Sequence, residues 1–316
     1  MIYTVTLNPA LDRELTVPEI RFNDVLRATV VRNDSGGKGF NVSRALHALG
    51  TATVALGFVG GETGARIARG LAELGIATDF IGISGETRTN ISIVSETAAH
   101  HIKVNEAGPT ITPEEQAALL SQVDALAHEG DWWVLSGSLP KGIASDFYAQ
   151  IVERVQRAGA RAMLDTSGAP LKYACAARPF IAKPNAFEAT ELTGIPVTSP
   201  EDAGVLSTPG AAVAAIHALG VENVYMSFGK AGALISDGHT CWFGAAPVIK
   251  ERNPIGAGDC AVAGLMWGLS RGLPLPEALR WGIASGTTAA SLPGTGVGDL
   301  ALVSSFFEQV VIRTLG

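Results

Sequence analysis

The sequence predicts an α/β fold in which helices cover both faces of a mostly parallel sheet. Short β-branched or apolar runs alternate with amphipathic, alanine-rich stretches along most of the chain, and this alternation is typical of parallel sheets. Of the 316 residues, 47% are apolar and 17% are charged, which is enough material for a large buried core. No stretch resembles a linker, so we expect a single domain over residues 1–316.

Eight runs are predicted as strands and most are separated by predicted helices. The strands are Ile2–Leu7, Thr53–Val59, Trp132–Leu135, Arg161–Asp165, Phe180–Lys183, Val224–Ser227, Ala233–Ser236 and Thr240–Phe243. The helices are Asn41–Leu49, Gly64–Leu74, Pro113–His128, Ser145–Ala158, Glu188–Thr193, Ala211–Leu219, Ala257–Ser270, Pro276–Ser291 and Leu300–Arg313. Thr112 and Ser145 are suitable caps for two of these helices.

Two segments depart from this alternation. Glu14–Val31 and Asn90–Lys103 alternate apolar and polar residues with no helix between the runs, as half-exposed strands do. They could pair as a small sheet that forms a lid, with lid segments at about 12–33 and 86–107. Surface hairpins without a role are the alternative, and the pattern alone does not separate the two.

Charge and cysteine content restrict the classes of partner. The formal net charge of −7 argues against nucleic acid or an anionic membrane as the default partner, because either would favour a basic face. The three cysteines are widely spaced and odd in number, which favours a reducing, cytoplasmic setting. No signal-peptide pattern is recognised, and the most apolar stretch, Cys260–Leu269, is shorter than the ~20 residues that span a bilayer.

The segment Asn253–Gly264 reads N-P-I-G-A-G-D-C-A-V-A-G, so small residues lead directly into an apolar helix. A helix start presents unpaired N–H groups and a positive dipole end, and glycine lets an anion approach the backbone. Asp259 would place a carboxylate beside that anion site, as proton acceptance during phosphoryl transfer requires. A plain helix cap explains an isolated G-x-G-D equally simply.

A second glycine-rich segment, Ser35–Arg44, reads S-G-G-K-G-F-N-V-S-R before a predicted helix. Its glycines would allow close approach of a ligand, which Lys38 and Asn41 would contact. A flexible turn followed by a cap is the alternative for this stretch taken alone. Neither a P-loop nor a G-x-G-x-x-G dinucleotide motif occurs in the sequence.

Together the two segments resemble the N-terminal and C-terminal signatures of the phosphofructokinase-B family of sugar kinases. The opening T-L-N-P-A-L-D at Thr6–Asp12, the S-G-S-L-P at Ser136–Pro140 and the K-P-N-x-x-E at Lys183–Glu188 are similar to the branch that phosphorylates ketohexose phosphates. The resemblance covers nearly the whole chain. It implies a ribokinase-like three-layer sandwich with a small β-sheet lid.

The resemblance also implies roles for matching residues. Asp259 resembles the catalytic base, and Gly256, Ala257 and Gly258 would donate backbone N–H groups to the transferring phosphate. Sugar and sugar-phosphate contacts are expected from Asp12, Gly37, Lys38, Asn41, Arg88 and Ser138, with Arg27 and Lys103 as further candidates in the lid strands. ATP contacts are expected from Lys183, Asn185, Ser227, Gly229 and Gly232. Glu188 resembles the residue that positions Mg²⁺ through water.

The expected reaction is ATP-dependent phosphorylation of a ketohexose phosphate, with fructose 1-phosphate as the first candidate. Tagatose 6-phosphate and fructose 6-phosphate are alternatives on the same scaffold, and a non-catalytic sugar-phosphate sensor is the alternative from another class. The lid sheet would leave an apolar face or an open edge. A second copy of the chain could cover it, and we therefore expect a homodimer through the lid.

Overall fold

The computed structural model of the chain describes residues 1–97, 100–198 and 207–315. In chain order its strands are β1 (Ile2–Thr6), β2 (Ala10–Val17), β3 (Val30–Gly36), β4 (Val54–Val59), β5 (Ala77–Gly82), β6 (Arg88–Ser95), β7 (His101–Asn105), β8 (Trp132–Ser136), β9 (Arg161–Asp165), β10 (Ile181–Ala182), β11 (Asn223–Ser227), β12 (Ala233–Ser236), β13 (Cys241–Gly244) and β14 (Ile312–Leu315). Its helices are α1 (Lys38–Ala48), α2 (Gly61–Glu73), α3 (Pro113–Leu126), α4 (Phe147–Arg157), α5 (Gly168–Ala176), α6 (Ala186–Thr193), α7 (Ser207–Ala218), α8 (Ala257–Ser270), α9 (Leu275–Ser291) and α10 (Leu300–Phe307).

Ten of the strands form one sheet in the order β14-β13-β12-β11-β10-β9-β8-β1-β4-β5. The strands from β11 to β5 pair in parallel, whereas β12, β13 and β14 add antiparallel ladders at one edge. The chain moves outward from β1 through β4 to β5, and then returns to β8 on the other side of β1. This reversal leaves a crevice between the carboxyl ends of β1 and β8, where ligands bind in open α/β sheets.

Helices cover both faces of the sheet, so successive side chains of a central strand enter different cores. Trp133 and Leu135 of β8 pack with α3, α4 and α5, while Trp132 and Val134 pack with α1, α8 and α9. Strands that are buried on both faces are apolar throughout. The sandwich therefore has three layers, as the sequence predicts.

The second sheet contains the two segments with alternating polarity, in the order β3-β2-β6-β7. Asp12 lies opposite Asp34 on β3 and opposite Asn90 on β6. Because directly opposed residues share a face of a sheet, one face bears these polar side chains. The other face bears the row Val31, Leu15, Ile93 and Ile102. The small lid-like sheet is thus confirmed as a separate sheet.

Several element boundaries differ from the predictions. The predicted helix Leu300–Arg313 is wrong in its second half, because α10 ends at Phe307 and Ile312–Leu315 pairs with β13 as an edge strand. Neither β5 nor α5 is predicted from the sequence. Within the alternating segment Glu14–Val31, residues 18–29 connect β2 to β3 and belong to neither strand.

The two predicted helix caps had different outcomes. Thr112 forms a capping box with Glu115, as expected. The cap at Ser145 is wrong: the N-cap of α4 is Asp146, which makes no side-chain capping bond. None of the helices in the described ranges is at once long and apolar enough to cross a bilayer.

Candidate active site

The polar side chains expected in the site converge at the carboxyl edge of the parallel strands. Asp165 ends β9, Lys183 follows β10, and Ser227 ends β11. The starts of α1 and α8 bring Lys38 and Asp259 to the same edge. Residues more than two hundred positions apart in the sequence are therefore neighbours.

Two lysines share one carboxylate oxygen at the centre of this edge. The Nζ atoms of Lys38 and Lys183 lie 3.1 Å and 3.3 Å from Asp165 Oδ1. The Asp165 side chain is only 1% exposed, and burial alone would raise its pKa, but the two ammonium groups hold the pKa of Asp165 below its usual value. Its Oδ2 has no hydrogen-bond partner among the described residues. The site thus carries a buried anion between two cations.

Burial by itself lowers the pKa of Lys38, but the carboxylates of Asp165, Asp259 and Glu188 together raise it above its usual value. Lys38 therefore stays protonated over the whole physiological pH range. A permanent positive charge at this position is what a transferring phosphate requires.

Asp259 lies in the first turn of α8 and is buried. Its Oδ2 accepts a hydrogen bond of 2.8 Å from Asn41 Nδ2, so the carboxylate is turned toward α1 and does not cap its own helix. Burial and the negative charge of Asp165 raise the pKa of Asp259 to about 6, against the opposing effects of Asn41, Lys38 and Lys183. A carboxylate with this pKa is largely ionised at neutral pH and still basic enough to accept a proton.

The start of α8 is open for an anion. Its N-cap is Gly256, in the left-handed conformation at φ 83°, and it makes no side-chain capping bond. The Ala257 N–H donates to Pro254 O at 3.2 Å, whereas the N–H groups of Gly256 and Gly258 have no backbone partner in the described part of the chain. A Cβ on Gly258 would lie 3.9 Å from Lys183 Nζ, so a lysine ammonium stands beside these donors.

The glycines at the start of α1 serve helix packing as well as the site. Gly37 has φ 134°, and a Cβ there would lie 2.6 Å from Thr6 Cγ2. A Cβ on Gly39 would lie 2.5 Å from Thr6 Oγ1. These glycines bring the start of α1 against β1, and this close contact places Lys38 and Asn41 at the sheet edge.

On the lid side, Asp12 Oδ1 accepts a hydrogen bond of 2.8 Å from Asn90 Nδ2. Its carboxylate packs on Gly36, where a Cβ would overlap it. The Asn90 side chain is buried, and its Oδ1 has no partner among the described residues. Sugar hydroxyls are suitable partners for such a pair, because they both donate and accept hydrogen bonds.

Arg88 holds the connection between β1 and β2. Its guanidinium donates to the carbonyl oxygens of Asn8 (3.1 Å), Pro9 (3.4 Å) and Glu106 (2.9 Å). Asn8 Nδ2 in turn donates to Ser138 Oγ at 3.2 Å, across the crevice between β1 and β8. Three of the five N–H donors of the Arg88 guanidinium thus bind backbone oxygens, and two N–H donors remain for a ligand.

The two remaining lid cations lie in different places. Lys103 is on β7 opposite Ser92, on the same face of the sheet as Asp12 and Asn90. Arg27 is exposed in the 18–29 connection, so its expected location in a lid strand is wrong.

Two of the residues expected to contact ATP, Asn185 and Ser227, lie at the neighbouring carboxyl ends of β10 and β11. Asn185 and Glu188 make a capping box at the start of α6: Glu188 N–H donates to Asn185 Oδ1 at 2.9 Å, and Asn185 N–H donates to Glu188 Oε2 at 2.8 Å. Asn185 also bridges to Ser227 at the end of β11. Gly229 and Gly232 follow with φ 58° and 113° and shape the next turn.

Sequence reasoning misses two candidate site residues, Asp165 and Asn90. The pattern identifies Asp165 only as the end of a strand, although an aspartate at the carboxyl end of a parallel strand is itself a signal for a site. The pattern identifies Asn90 only as part of an alternating strand. Its contact with Asp12 depends on the parallel pairing of β2 with β6, which no local pattern reveals.

Comparison with known proteins agrees with this geometry. Residues 6–300 match the model of the pfkB family carbohydrate kinases. The chain belongs to this family. It is 39% identical over 290 residues to 1-phosphofructokinase of Bacillus subtilis (strain 168), with 92% of each chain covered.

Two solved structures are also similar to this sugar kinase. Phosphofructokinase-2 of Escherichia coli, in complex with potassium, superposes with a TM-score of 0.91 at 30% identity and 98% coverage of both chains. A possible 1-phosphofructokinase of Thermotoga maritima gives a TM-score of 0.87 at 25% identity, with both chains covered completely. The ribokinase-like fold predicted from the sequence is confirmed by these comparisons.

The electrostatics of Asp259 predict the acid limb of the pH profile of kcat/KM. Activity that needs the ionised carboxylate should fall as the pH drops through about 6. Replacing Asp165 with Asn removes a negative charge, so the pKa of Asp259 and the acid limb should move to lower pH. Replacing Asn41 with Leu removes the hydrogen bond to the carboxylate, so the limb should move to higher pH.

Steady-state kinetics between pH 5 and pH 9 measure these shifts, and Asp124→Asn on the exposed surface of α3 is the control. A phosphorylated substrate also titrates near pH ~6, but its contribution is the same for every variant. Acid limbs that coincide in the wild type and in both variants would contradict the assignment of Asp259 as the titrating group.

Proposed function

We propose that the chain is a 1-phosphofructokinase, which transfers the γ-phosphoryl group of ATP to the free primary hydroxyl of fructose 1-phosphate. The observation that supports this most directly is the position of a buried carboxylate, Asp259, beside an uncapped helix start and two lysines. The 39% identity to the Bacillus subtilis 1-phosphofructokinase supports the choice of substrate.

Asp259 is the proposed base. It accepts the proton of the sugar hydroxyl as the hydroxyl oxygen attacks the γ-phosphorus. Asn41 orients the carboxylate through its 2.8 Å hydrogen bond, so one oxygen remains for the substrate. The pKa of about 6 keeps this group ionised at neutral pH.

The charge of the transferring phosphate is met by the helix start and the lysines. The backbone N–H groups of Gly256 and Gly258 have no backbone partner among the described residues, and the dipole of α8 favours an anion at this end of the helix. Ala257 contributes less in this arrangement, because its N–H is engaged with Pro254 O. Lys183 Nζ lies beside these donors, 3.9 Å from a Cβ built on Gly258, and together with Lys38 it supplies fixed positive charge there.

Kinases of this family generally use ATP with Mg²⁺, and the residues present fit such an ion. Glu188 Oε2 is engaged by the Asn185 backbone, which fixes the carboxylate, and Asp165 Oδ2 is a buried oxygen without a partner in the described residues. Hard oxygen ligands in small number suit a metal that keeps most of its water and binds phosphate oxygens. The ion would supply charge neutralisation of the ATP phosphates.

ATP is proposed to lie along Lys183, Asn185 and Ser227 and the turn from Gly229 to Gly232. Gly232 at φ 113° lies against the backbone of Gly244 so closely that a side chain would overlap it. The turn between β11 and β12 is therefore held in one conformation. Its exposed backbone is available for the nucleotide.

The sugar phosphate is proposed to bind in the crevice between β1 and β8, under the polar face of the lid. Asp12, Asn90 and Asn41 are suited to hydroxyl groups. The phosphate is proposed to bind near the start of α1, at Gly37 and Lys38, and near Arg88 at the start of β6. Ser138 is a further candidate contact. Lys103 on the polar lid face and Arg27 in the 18–29 connection are the outer candidates.

We further propose a single domain over residues 1–316 with lid segments at about 12–33 and 86–107, in a cytoplasmic enzyme. The cysteines Cys175, Cys241 and Cys260 are all unpaired, which suits a reducing compartment. Neither nucleic acid nor membrane is included as a partner, because the chain is acidic.

Replacing Asp259 with Asn tests the base. The change keeps the shape and the hydrogen bond to Asn41 but removes the proton acceptor, so kcat should fall by about 10²-fold or more. Binding of ATP, measured by calorimetry, should change little. Turnover close to that of the wild type would rule out this residue as the base.

An ADP-release assay with fructose 1-phosphate, fructose 6-phosphate, tagatose 6-phosphate and free fructose tests the substrate. We expect the highest kcat/KM for fructose 1-phosphate. The Escherichia coli phosphofructokinase-2, whose structure with fructose-6-phosphate is 29% identical, makes the 6-phosphate the main alternative. No turnover of any sugar phosphate would favour the sensor alternative over an active kinase.

In the same assay, Lys38→Met should raise KM for the sugar phosphate by roughly 10- to 100-fold, because the substitution removes one charge-assisted hydrogen bond to the phosphate. KM for ATP should change much less. Arg157→Met is the matched control, since Arg157 ends α4 near the start of β9, at the opposite edge of the sheet. Efficient use of free fructose, or an unchanged KM in Lys38→Met, would contradict the phosphosugar assignment.

A homodimer through the lid is the remaining proposal. The lid face with Leu15, Ile93 and Ile102 is apolar, and Val31 in the same row is 49% exposed. Covering such a row favours association. Light scattering at micromolar concentration should give twice the monomer mass, and Val31→Lys should give a monomer. The control Val311→Lys, which changes an exposed valine outside the lid, should remain a dimer. A wild-type protein that is monomeric would refute the proposal.

A further inference from the structure

Strand β3 of the lid contacts a turn at residues 292–296, which follows α9. Thr295 Oγ1 donates to Asp34 Oδ2 at 3.2 Å. Arg32 Nε lies 3.3 Å from the same Asp34 oxygen. The Arg32 guanidinium also packs on Gly294 so tightly that a Cβ at Gly294 would overlap it. The lid is thus attached to the main body at a point outside the proposed ligand contacts.

The opposite side of the same turn holds the segment before α8. Gly294 O accepts a hydrogen bond of 2.7 Å from Asn253 Nδ2. Asn253 Oδ1 in turn accepts one of 3.0 Å from the Ile255 N–H. Ile255 is directly followed by Gly256, the N-cap of α8. The 292–296 turn therefore lies between the lid and the start of the phosphate-binding helix.

The contacts on the lid side are weak compared with those on the side of Asn253. The Arg32 side chain is 45% exposed and that of Asp34 is 23% exposed, so solvent competes with the contacts that Asp34 makes with Thr295 and Arg32 makes with Gly294. Contacts of this strength can form and break as the lid moves. By contrast, Asn253 is bound to the turn through a short hydrogen bond, and its own N–H donates to Ala290 O at 3.3 Å.

The position of Asp34 relates these contacts to the sugar site. Asp34 lies directly opposite Asp12 in the β2–β3 ladder, so both side chains are on the polar face of the lid. A sugar phosphate that binds Asp12 fixes the position of β3, and with it the positions of Asp34 and Arg32.

We propose that Arg32, Asp34 and Thr295 form a latch by which docking of the lid on the sugar phosphate fixes the start of α8 for the nucleotide phosphate. The inference rests on the proposed kinase function. The three residues are positioning residues, because they act through Gly294, Asn253 and Ile255. The latch makes binding of the two substrates cooperative, and linkage requires each to raise the affinity of the other by the same factor.

The experiment measures that factor by calorimetry with a non-hydrolysable ATP analogue and Mg²⁺, with and without saturating fructose 1-phosphate. In the wild type the sugar phosphate should tighten binding of the analogue. Thr295→Val removes the hydroxyl donor, and Arg32→Met removes the guanidinium. Each substitution should reduce the coupling factor by about 3- to 10-fold, which is the effect of losing one such contact. It should also lower kcat. The affinity for the analogue in the absence of fructose 1-phosphate should stay the same.

Conservative and matched variants separate the latch from a general loss of structure. Thr295→Ser keeps the hydroxyl and should retain the coupling. Thr314→Val changes an exposed threonine on the edge strand β14, and Arg21→Met changes a lid arginine whose partner is Asp24; both should leave the coupling intact. The double variant Arg32→Met with Thr295→Val should lose little more than the worse single variant, because both changes open the same latch.

Unchanged coupling in both Thr295→Val and Arg32→Met overturns the latch. So does a wild type that turns over fructose 1-phosphate but shows no coupling. If Thr295→Val does not fold, Arg32→Met on the exposed lid surface decides by itself. A wild type that phosphorylates no sugar phosphate overturns the proposed function instead, so the two failures are distinguishable.

Discussion

The buried carboxylate of Asp165 is the interaction on which the site depends. Without it, the ammonium groups of Lys38 and Lys183 would repel each other, since both approach the same point at the sheet edge. With it, one positive charge comes from α1 and one from the strand end at β10. The same negative charge raises the pKa of Asp259. One side chain thereby sets both the cation pair and the strength of the proposed base.

The parallel sheet makes this convergence possible. Parallel strands end at one common edge, and each following helix starts there with its unpaired N–H groups. The apolar cores on the two faces fix these ends relative to one another, because both faces of the central strands are buried. The chemistry is therefore carried by a rigid body, while the small lid sheet is joined to it by short connections and by the contacts at Gly294 and Thr295.

The polar and apolar faces of the lid follow from strand alternation. A one-residue change of register would turn Asp12 and Asn90 away from the site and bring Leu15 and Ile93 toward it. The pairing of β2 with β6 thus fixes which side chains form the polar face of the lid and which form its apolar face. The same pairing accounts for the contact between Asn90 and Asp12.

The sequence alone determined the alternating βα pattern, the glycine-rich helix starts and the candidate roles of Lys38, Lys183 and Asp259, because each is encoded in a short local stretch. It misjudged the end of the chain: the predicted helix runs to Arg313, but α10 ends at Phe307 and Ile312–Leu315 pairs with β13 at the edge of the sheet. Only the tertiary structure showed Asp165 between two lysines, Asn41 bound to Asp259, and Arg88 bound to three backbone carbonyls. These contacts join residues distant in sequence, and the order of the strands decides which of them meet.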